Sequence, residues 1–166
     1  MAGPVIIRGV NKMKGRIKSL NISDKKGVAK KPVPKFTLKE NWGVEGDVHA
    51  GPGNRQVSLL AWESIQKQKE CPKADAKRDD FDLEPGDFAE NITTEGLDLT
   101  KVKLGDRIKI GDVEMRVSKI GKECHTYCQI YKRFGDCIMP REGIFAQVIK
   151  GGDVSVDDEV EVICED

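Results

Sequence analysis

Polar and apolar residues alternate along much of the chain with the two-residue period of half-buried strands. Gly15-Arg-Ile-Lys-Ser-Leu-Asn-Ile22 shows the pattern first. It places the start of the first strand at Gly15, and Ser23-Asp24 with Lys25-Lys26-Gly27 reads as the turn that ends it. Lys30 to Lys39 contains Pro32 and Pro34, which confine it to an edge strand or an extended loop. Glycines 43, 46, 51 and 53 exclude a helix interior and mark residues 43–53 as a shaped loop. Val57-Ser-Leu-Leu-Ala-Trp62 reads as a buried strand, and Trp62 to Lys69 continues as a short amphipathic helix that Pro72 cannot extend. Lys73 to Asp82 is charged without apolar periodicity and reads as a solvated loop, whereas the β-branched content of Phe88 to Thr94 favours a strand.

In the last third, Leu104 to Ile110 and Val113 to Ile120 alternate on either side of Gly111-Asp112, a strong local hairpin signal. Val154 to Cys164 predicts an alternating strand behind an acidic turn. Tyr127 to Phe134 has room for a helix of about two turns with Gly135 as its C-terminal cap. Many short strands between Gly, Pro and Asp turns predict a mainly β, barrel-type fold with one or two short helices rather than a βαβ array. With 166 residues and no internal repeat, the chain reads as one domain, residues 1–166, with its core at about 15–164.

Composition narrows the partners. Lysine plus arginine and aspartate plus glutamate both number 28, so no net charge steers the chain to nucleic acid or an anionic membrane. The apolar runs Val5-Ile7 and Leu59-Trp62 fall far short of the ~20 residues of a membrane span, and no leader-like apolar segment follows Met1. The expected location is cytoplasmic. An odd count of five cysteines then argues for reduced thiols rather than a disulfide framework.

Three of those cysteines and one of the two histidines fall between Cys124 and Cys137, just after the predicted hairpin. A thiol acts as nucleophile, redox centre or soft-metal ligand only as thiolate, and Lys122, His125, Arg133 and Arg141 are the cations that could lower its pKa. Cys124, flanked by charged residues, contradicts a site of apolar burial and is the candidate reactive thiol. Cys128 reads as a resolving thiol or packing, Cys137 as core, and Cys71 and Cys164 as incidental. The donor types in Cys124-His125, Cys128 and Cys137 also suit a tetrahedral zinc site, although their spacing is not a paired C-x2-C. In the glycine loop, His49 stands near Asp47 and Arg55, a combination suited either to tight turns or to close backbone approach by an anionic ligand. Arg141-Glu142, between Pro140 and Gly143, offers an anion binder or a surface ion pair. No Walker or Rossmann pattern supports nucleotide binding, and the Gly-Asp pairs at 86, 105 and 111 are explained by turns.

Taken together, Gly43-Val-Glu-Gly-Asp-Val-His-Ala-Gly51, Arg55-Gln-Val-Ser-Leu-Leu-Ala61, Leu83 to Gly96, Gly121-Lys-Glu-Cys-His125 and Met139-Pro-Arg-Glu-Gly-Ile-Phe-Ala146 closely resemble small stand-alone members of the MOSC domain family. This is the domain at the C-terminus of molybdenum cofactor sulfurases. The resemblance runs from about Gly15 to the end of the chain. It implies a β-barrel of MOSC type, a key cysteine at Cys124, and a role with sulfur or the molybdenum cofactor. On that resemblance Cys124 is a sulfur carrier or molybdenum ligand, His125 and Lys122 stabilise its thiolate, and His49, Arg55, Asn91, Lys122 and Arg141 bind the cofactor, with Arg55, Arg141 and the Gly46 to Gly53 loop facing the pterin phosphate. A persulfide on Cys124 would be delivered by a pyridoxal-phosphate cysteine desulfurase or a molybdenum cofactor biosynthesis partner, because the chain shows no pyridoxal-phosphate lysine context of its own. The alternatives are a molybdenum-dependent reductase of N-hydroxylated compounds and a non-enzymatic, zinc-stabilised binding module.

Overall fold

A computed structural model of the chain describes residues 10–70, 83–121 and 142–165. Its strands are β1 (Val10–Ile22), β2 (Lys31–Val33), β3 (Lys35–Lys39), β4 (Gly43–Val44), β5 (Val57–Ala61), β6 (Ile92–Glu95), β7 (Arg107–Ile110), β8 (Val113–Ile120), β9 (Ile144–Lys150), β10 (Gly152–Ser155) and β11 (Glu159–Glu165). One helix, α1 (Trp62–Glu70), and a short 3-10 turn at Leu99–Lys101 complete the described elements. Seven strands in the order β11-β7-β8-β9-β5-β6-β1 close on themselves through a β11–β1 pair, and β2 extends the free part of β1. The mainly β barrel expected from the alternation is therefore the fold. Closure leaves these seven strands without a long open edge, which a sheet of unpaired backbone groups would otherwise present. Strands β10, β3 and β4 form a separate small sheet.

Strand β1 begins at Val10, earlier than the Gly15 expected from alternation. Residues 10–16 pair with β11 in register from Val10↔Glu165 to Arg16↔Glu159, and no local pattern announces a partner so distant in sequence. Its second half pairs with β6 on one edge, with a register shift between Ile17 and Ser19, and with β2 at Leu20–Ile22. Bulges of this kind bend a strand and let a short barrel close. The Lys30–Lys39 stretch is extended as expected, but it divides around Pro34 into β2 and β3, which join different sheets.

The interior is filled by inward residues from all sides, among them Ile17, Leu20, Leu59, Ile92, Ile108, Met115, Val148 and Val162. Every residue of β5 is buried, which explains its unbroken apolar run. Val57, Leu59 and Ala61 face the barrel core, while Leu60 joins an outer cluster with Ile65 of α1, Leu83, Phe88, Ala89 and Phe145. A strand covered on both faces loses alternation. Strands β5 and β6 run parallel, so the chain between them must cross over, and α1 lies within that crossover.

Phe88–Thr94 is only half strand. A turn over residues 85–88 precedes Ala89, which takes φ +65, and β6 starts at Ile92. The Gly111-Asp112 hairpin forms as read, with Ile110 opposite Val113. The terminal segment divides at a turn over Val156–Asp158 into β10 and β11. Strand β9, which the sequence pattern did not announce, lies between β8 and β5. The solvated loop expected at Lys73–Asp82 and the helix expected at Tyr127–Phe134 lie outside the described residues. Among the described residues no helix is long and apolar enough to cross a membrane.

Candidate functional site

The glycine loop is fixed at its base. A Cβ on Gly43, which has φ +121, would sit 2.4 Å from the Gln56 carbonyl oxygen, so only glycine lets the two limbs of the loop meet. Gln56 is fully buried. It donates from Nε2 to Asn41 Oδ1 at 3.1 Å and accepts the Val148 N–H at Oε1 at 3.0 Å. Gln147 Nε2 donates to the Gly53 carbonyl at 2.8 Å, and Ser118 Oγ donates to the Asn54 carbonyl at 2.6 Å. The second limb is thereby held against β8 and β9.

The first limb meets the end of β1 and the segment before β2. Val48 N–H donates to the Ser23 carbonyl at 2.8 Å. Beneath it lies a buried ion pair, Lys30 Nζ to Asp47 Oδ1 at 2.8 Å, with both side chains at 0% exposure. Asp47 Oδ1 also accepts the Ser23 N–H, and Oδ2 accepts the His49 N–H, each at 3.0 Å. Burial by itself pushes the Asp47 carboxyl upward. The neighbouring His49 and Lys30 and the hydrogen bond from the Ser23 N–H outweigh it and hold the group well below the usual carboxylate range. Lys30 Nζ further reaches Ser23 Oγ at 3.2 Å and His49 Nδ1 at 3.0 Å. The lysine is placed by its own backbone, because its N–H donates to the Gly86 carbonyl at 2.8 Å. Gly86, with φ +91, has its missing Cβ 2.4 Å from the Lys30 carbonyl oxygen.

His49 is thus carried on a buried charged base, with 34% of its side chain exposed. Arg55, at the exit of the same loop, is exposed and lies over the Phe145 ring at 5.8 Å, a cation–π contact that orients it along the outer face of β9. The arrangement offers an exposed imidazole edge on one limb and a guanidinium on the other, donors suited to an oxyanion.

Asn91 sits elsewhere in chemical terms. It is fully buried. Its Oδ1 accepts the Ser58 N–H at 3.1 Å and Ser58 Oγ at 3.2 Å, and its Nδ2 donates to the Asn21 carbonyl at 3.3 Å. The carboxamide stitches β5 to β1 just before β6. Next to it Glu90, also fully buried, accepts the Gly86 N–H at 3.0 Å and Thr93 Oγ1 at 2.7 Å through Oε2, while Oε1 has no hydrogen-bond partner among the described residues.

Lys122, Cys124, His125, Cys128, Cys137 and Arg141 lie outside the described residues. The chain on either side of them is well held. Gly121 N–H donates to the Gly143 carbonyl at 2.7 Å, and Ser64 Oγ of α1 donates to Glu142 Oε1 at 2.9 Å. Leu59 faces Ile144 and Val57 faces Ala146, so the chain enters and leaves residues 122–141 beyond the C-terminal end of β5, whereas the glycine loop joins its N-terminal end. Among the described residues no group of His, Cys, Asp and Glu could hold a metal ion.

Sequence reasoning found His49, Asp47 and Arg55 but not Lys30. That residue stands in the run Lys30-Lys31-Pro32, where a buried lysine looks the same as a solvated one. Glu90 and Ser58 were likewise passed over as ordinary strand residues.

The pattern of the MOSC domain matches residues 45–161. Among solved structures, the chain is similar to the YuaD protein of Bacillus subtilis, at 20% identity and a TM-score of 0.74 over 95% of this chain and 100% of that one. It is also similar to YiiM of Escherichia coli, at 22% identity and a TM-score of 0.63 over 91% of this chain and 71% of that one. YiiM of Geobacillus stearothermophilus gives 20% identity and a TM-score of 0.66 over 89% and 74%. At such identities these structures report on the fold. No curated protein matches the sequence significantly.

Proposed function

The chain belongs to the MOSC domain family, and from that premise we propose that it binds the molybdenum cofactor or a precursor of it and handles sulfur through Cys124. The observation that carries the reading is the rigid glycine loop, within the matched span, that carries His49 on the buried Lys30–Asp47 pair and Arg55 at its exit. Its donors fit the phosphate of such a cofactor: an imidazole edge and a guanidinium, with φ +154 and φ +125 at Gly51 and Gly53, where an added Cβ would meet nothing within 4 Å. When bound, the cofactor would supply a molybdenum centre whose ligand sphere accepts sulfur.

The protein's own part is to present a thiolate. Cys124 would attack the terminal sulfur of a donor persulfide; the donor S–S bond breaks, the donor thiolate leaves, and a persulfide forms on Cys124 with no net change in oxidation state. Lys122 and His125 would favour that thiolate as neighbouring cations. Generating the donor persulfide falls to a cysteine desulfurase. The test is intact-mass spectrometry after incubation with such an enzyme. One added sulfur, lost in Cys124→Ser but kept in Cys128→Ser, is the expected result, and equal sulfur uptake by the Cys124→Ser protein would remove the proposal.

A further inference from the structure

An ammonium group donates hydrogen bonds and cannot accept them. Lys30 Nζ lies 3.0 Å from His49 Nδ1 and 2.8 Å from Asp47 Oδ1, with the Lys30 and Asp47 side chains both at 0% exposure. A lysine buried against a carboxylate keeps its charge, because removing either partner strands the other in a medium that cannot solvate it. Nδ1 must therefore be the acceptor, and the ring proton sits on Nε2. The opposite tautomer would point an N–H at the ammonium. Asp47 does not compete for the ring: its Oδ2 is 3.7 Å from Nδ1, beyond hydrogen-bond reach, and is taken instead by the His49 backbone N–H at 3.0 Å. One buried pair thus pins the histidine twice, main chain by the carboxylate and ring by the ammonium.

We propose that Lys30 is a positioning residue that holds His49 as the Nε2–H tautomer, and that this Nε2–H is the hydrogen-bond donor to a phosphate-type oxyanion at the mouth of the glycine loop. Without Lys30 the ring would sample both tautomers, and part of the population would present a lone pair to the anion. The ligand half of the proposal rests on the anion-binding reading above, whereas the tautomer half does not.

The experiment is ¹⁵N NMR of the histidine side chains, with His49 assigned by loss of its signals in His49→Gln. In the unaltered protein Nδ1 is expected unprotonated and Nε2 protonated, and inorganic phosphate should shift the Nε2 resonance on titration. The double variant Lys30→Met/Asp47→Asn removes both buried charges together, so neither is left unpaired. It should show a mixture of tautomers and bind phosphate roughly tenfold more weakly, the loss expected for one charge-assisted contact. A protonated Nδ1 in the unaltered protein, or the same single tautomer in the double variant, overturns the assignment to Lys30. The expected tautomers with no response to phosphate would uphold the positioning role and overturn the ligand, and with it the cofactor-phosphate reading of this loop.

Discussion

Glu90 gives the fold a stability that falls as pH rises. Its carboxyl is fully buried, and burial is the largest influence on it. The Gly86 N–H and Thr93 hydroxyl pull the other way, and nearby Asp87 adds repulsion, leaving the group raised from 4.5 to about 7. Between those values the native state holds a proton that the unfolded chain has released. The stabilisation is complete below pH 4.5 and is lost as pH climbs through 7. At about 1.36 kcal/mol per pH unit, the interval amounts to about 3 kcal/mol. Glu90→Gln keeps an oxygen for Gly86 N–H and Thr93 Oγ1 and never ionises. It does place an amide where Oε1 has no partner among the described residues, but that cost is the same at every pH. Urea unfolding at pH 5, 6, 7 and 8 separates the two effects. The variant should gain about 2.5 kcal/mol on the unaltered protein between pH 5 and 8. Parallel pH profiles for the two proteins would mean that Glu90 holds no such proton, and the reasoning would be refuted.

Other expectations follow from the same contacts. Asp47→Asn strands the buried Lys30 ammonium and should cost about 3–5 kcal/mol at neutral pH by chemical denaturation. Because the Asp47 carboxyl lies below its ordinary 3.8 in the fold, its stabilisation is present above that pH and lost below it, so an acid unfolding curve should be flatter in Asp47→Asn. Asn91→Ala leaves the buried Ser58 N–H without its acceptor and should cost roughly 1–3 kcal/mol, with unchanged stability counting against a stitching role. Gly86→Ala must place a Cβ 2.4 Å from the Lys30 carbonyl at φ +91. It should destabilise by more than about 1 kcal/mol and also disturb the His49 ring signals. Elemental analysis of purified protein should find molybdenum rather than zinc, and stoichiometric zinc with a thermal transition that collapses on chelation would favour the zinc-stabilised alternative.

Much of the architecture was readable where one face of a strand meets the core and the other meets water. The β7–β8 hairpin is the clearest case, since Gly111-Asp112 turns the chain and the alternation on either side keeps register. Strand β5 was readable for the opposite reason, its apolar run matching burial on both faces. The unread parts depended on partners remote in sequence. Residues 10–14 are strand because β11 lies beside them, and β9 is strand because β8 and β5 flank it. Ala89 at φ +65 breaks the strand expected over Phe88–Thr94, and β-branched content cannot report such a turn.

The candidate site divides in the same way. Glycine spacing and residue type picked out the loop holding Asp47, His49 and Arg55, because backbone freedom and side-chain chemistry are written in the residues themselves. The sequence alone determined that this chain would be mainly β, with a glycine-rich loop carrying Asp47 and His49. Only the tertiary structure decided that Lys30 is buried against Asp47 and turned toward His49, that Asn91 joins strands from within, and that Glu90 is sealed from water. The reason is that a charge's fate depends on what excludes solvent from it, and the Gly86 turn, the end of β1 and the glycine loop converge on these residues only once the barrel has closed.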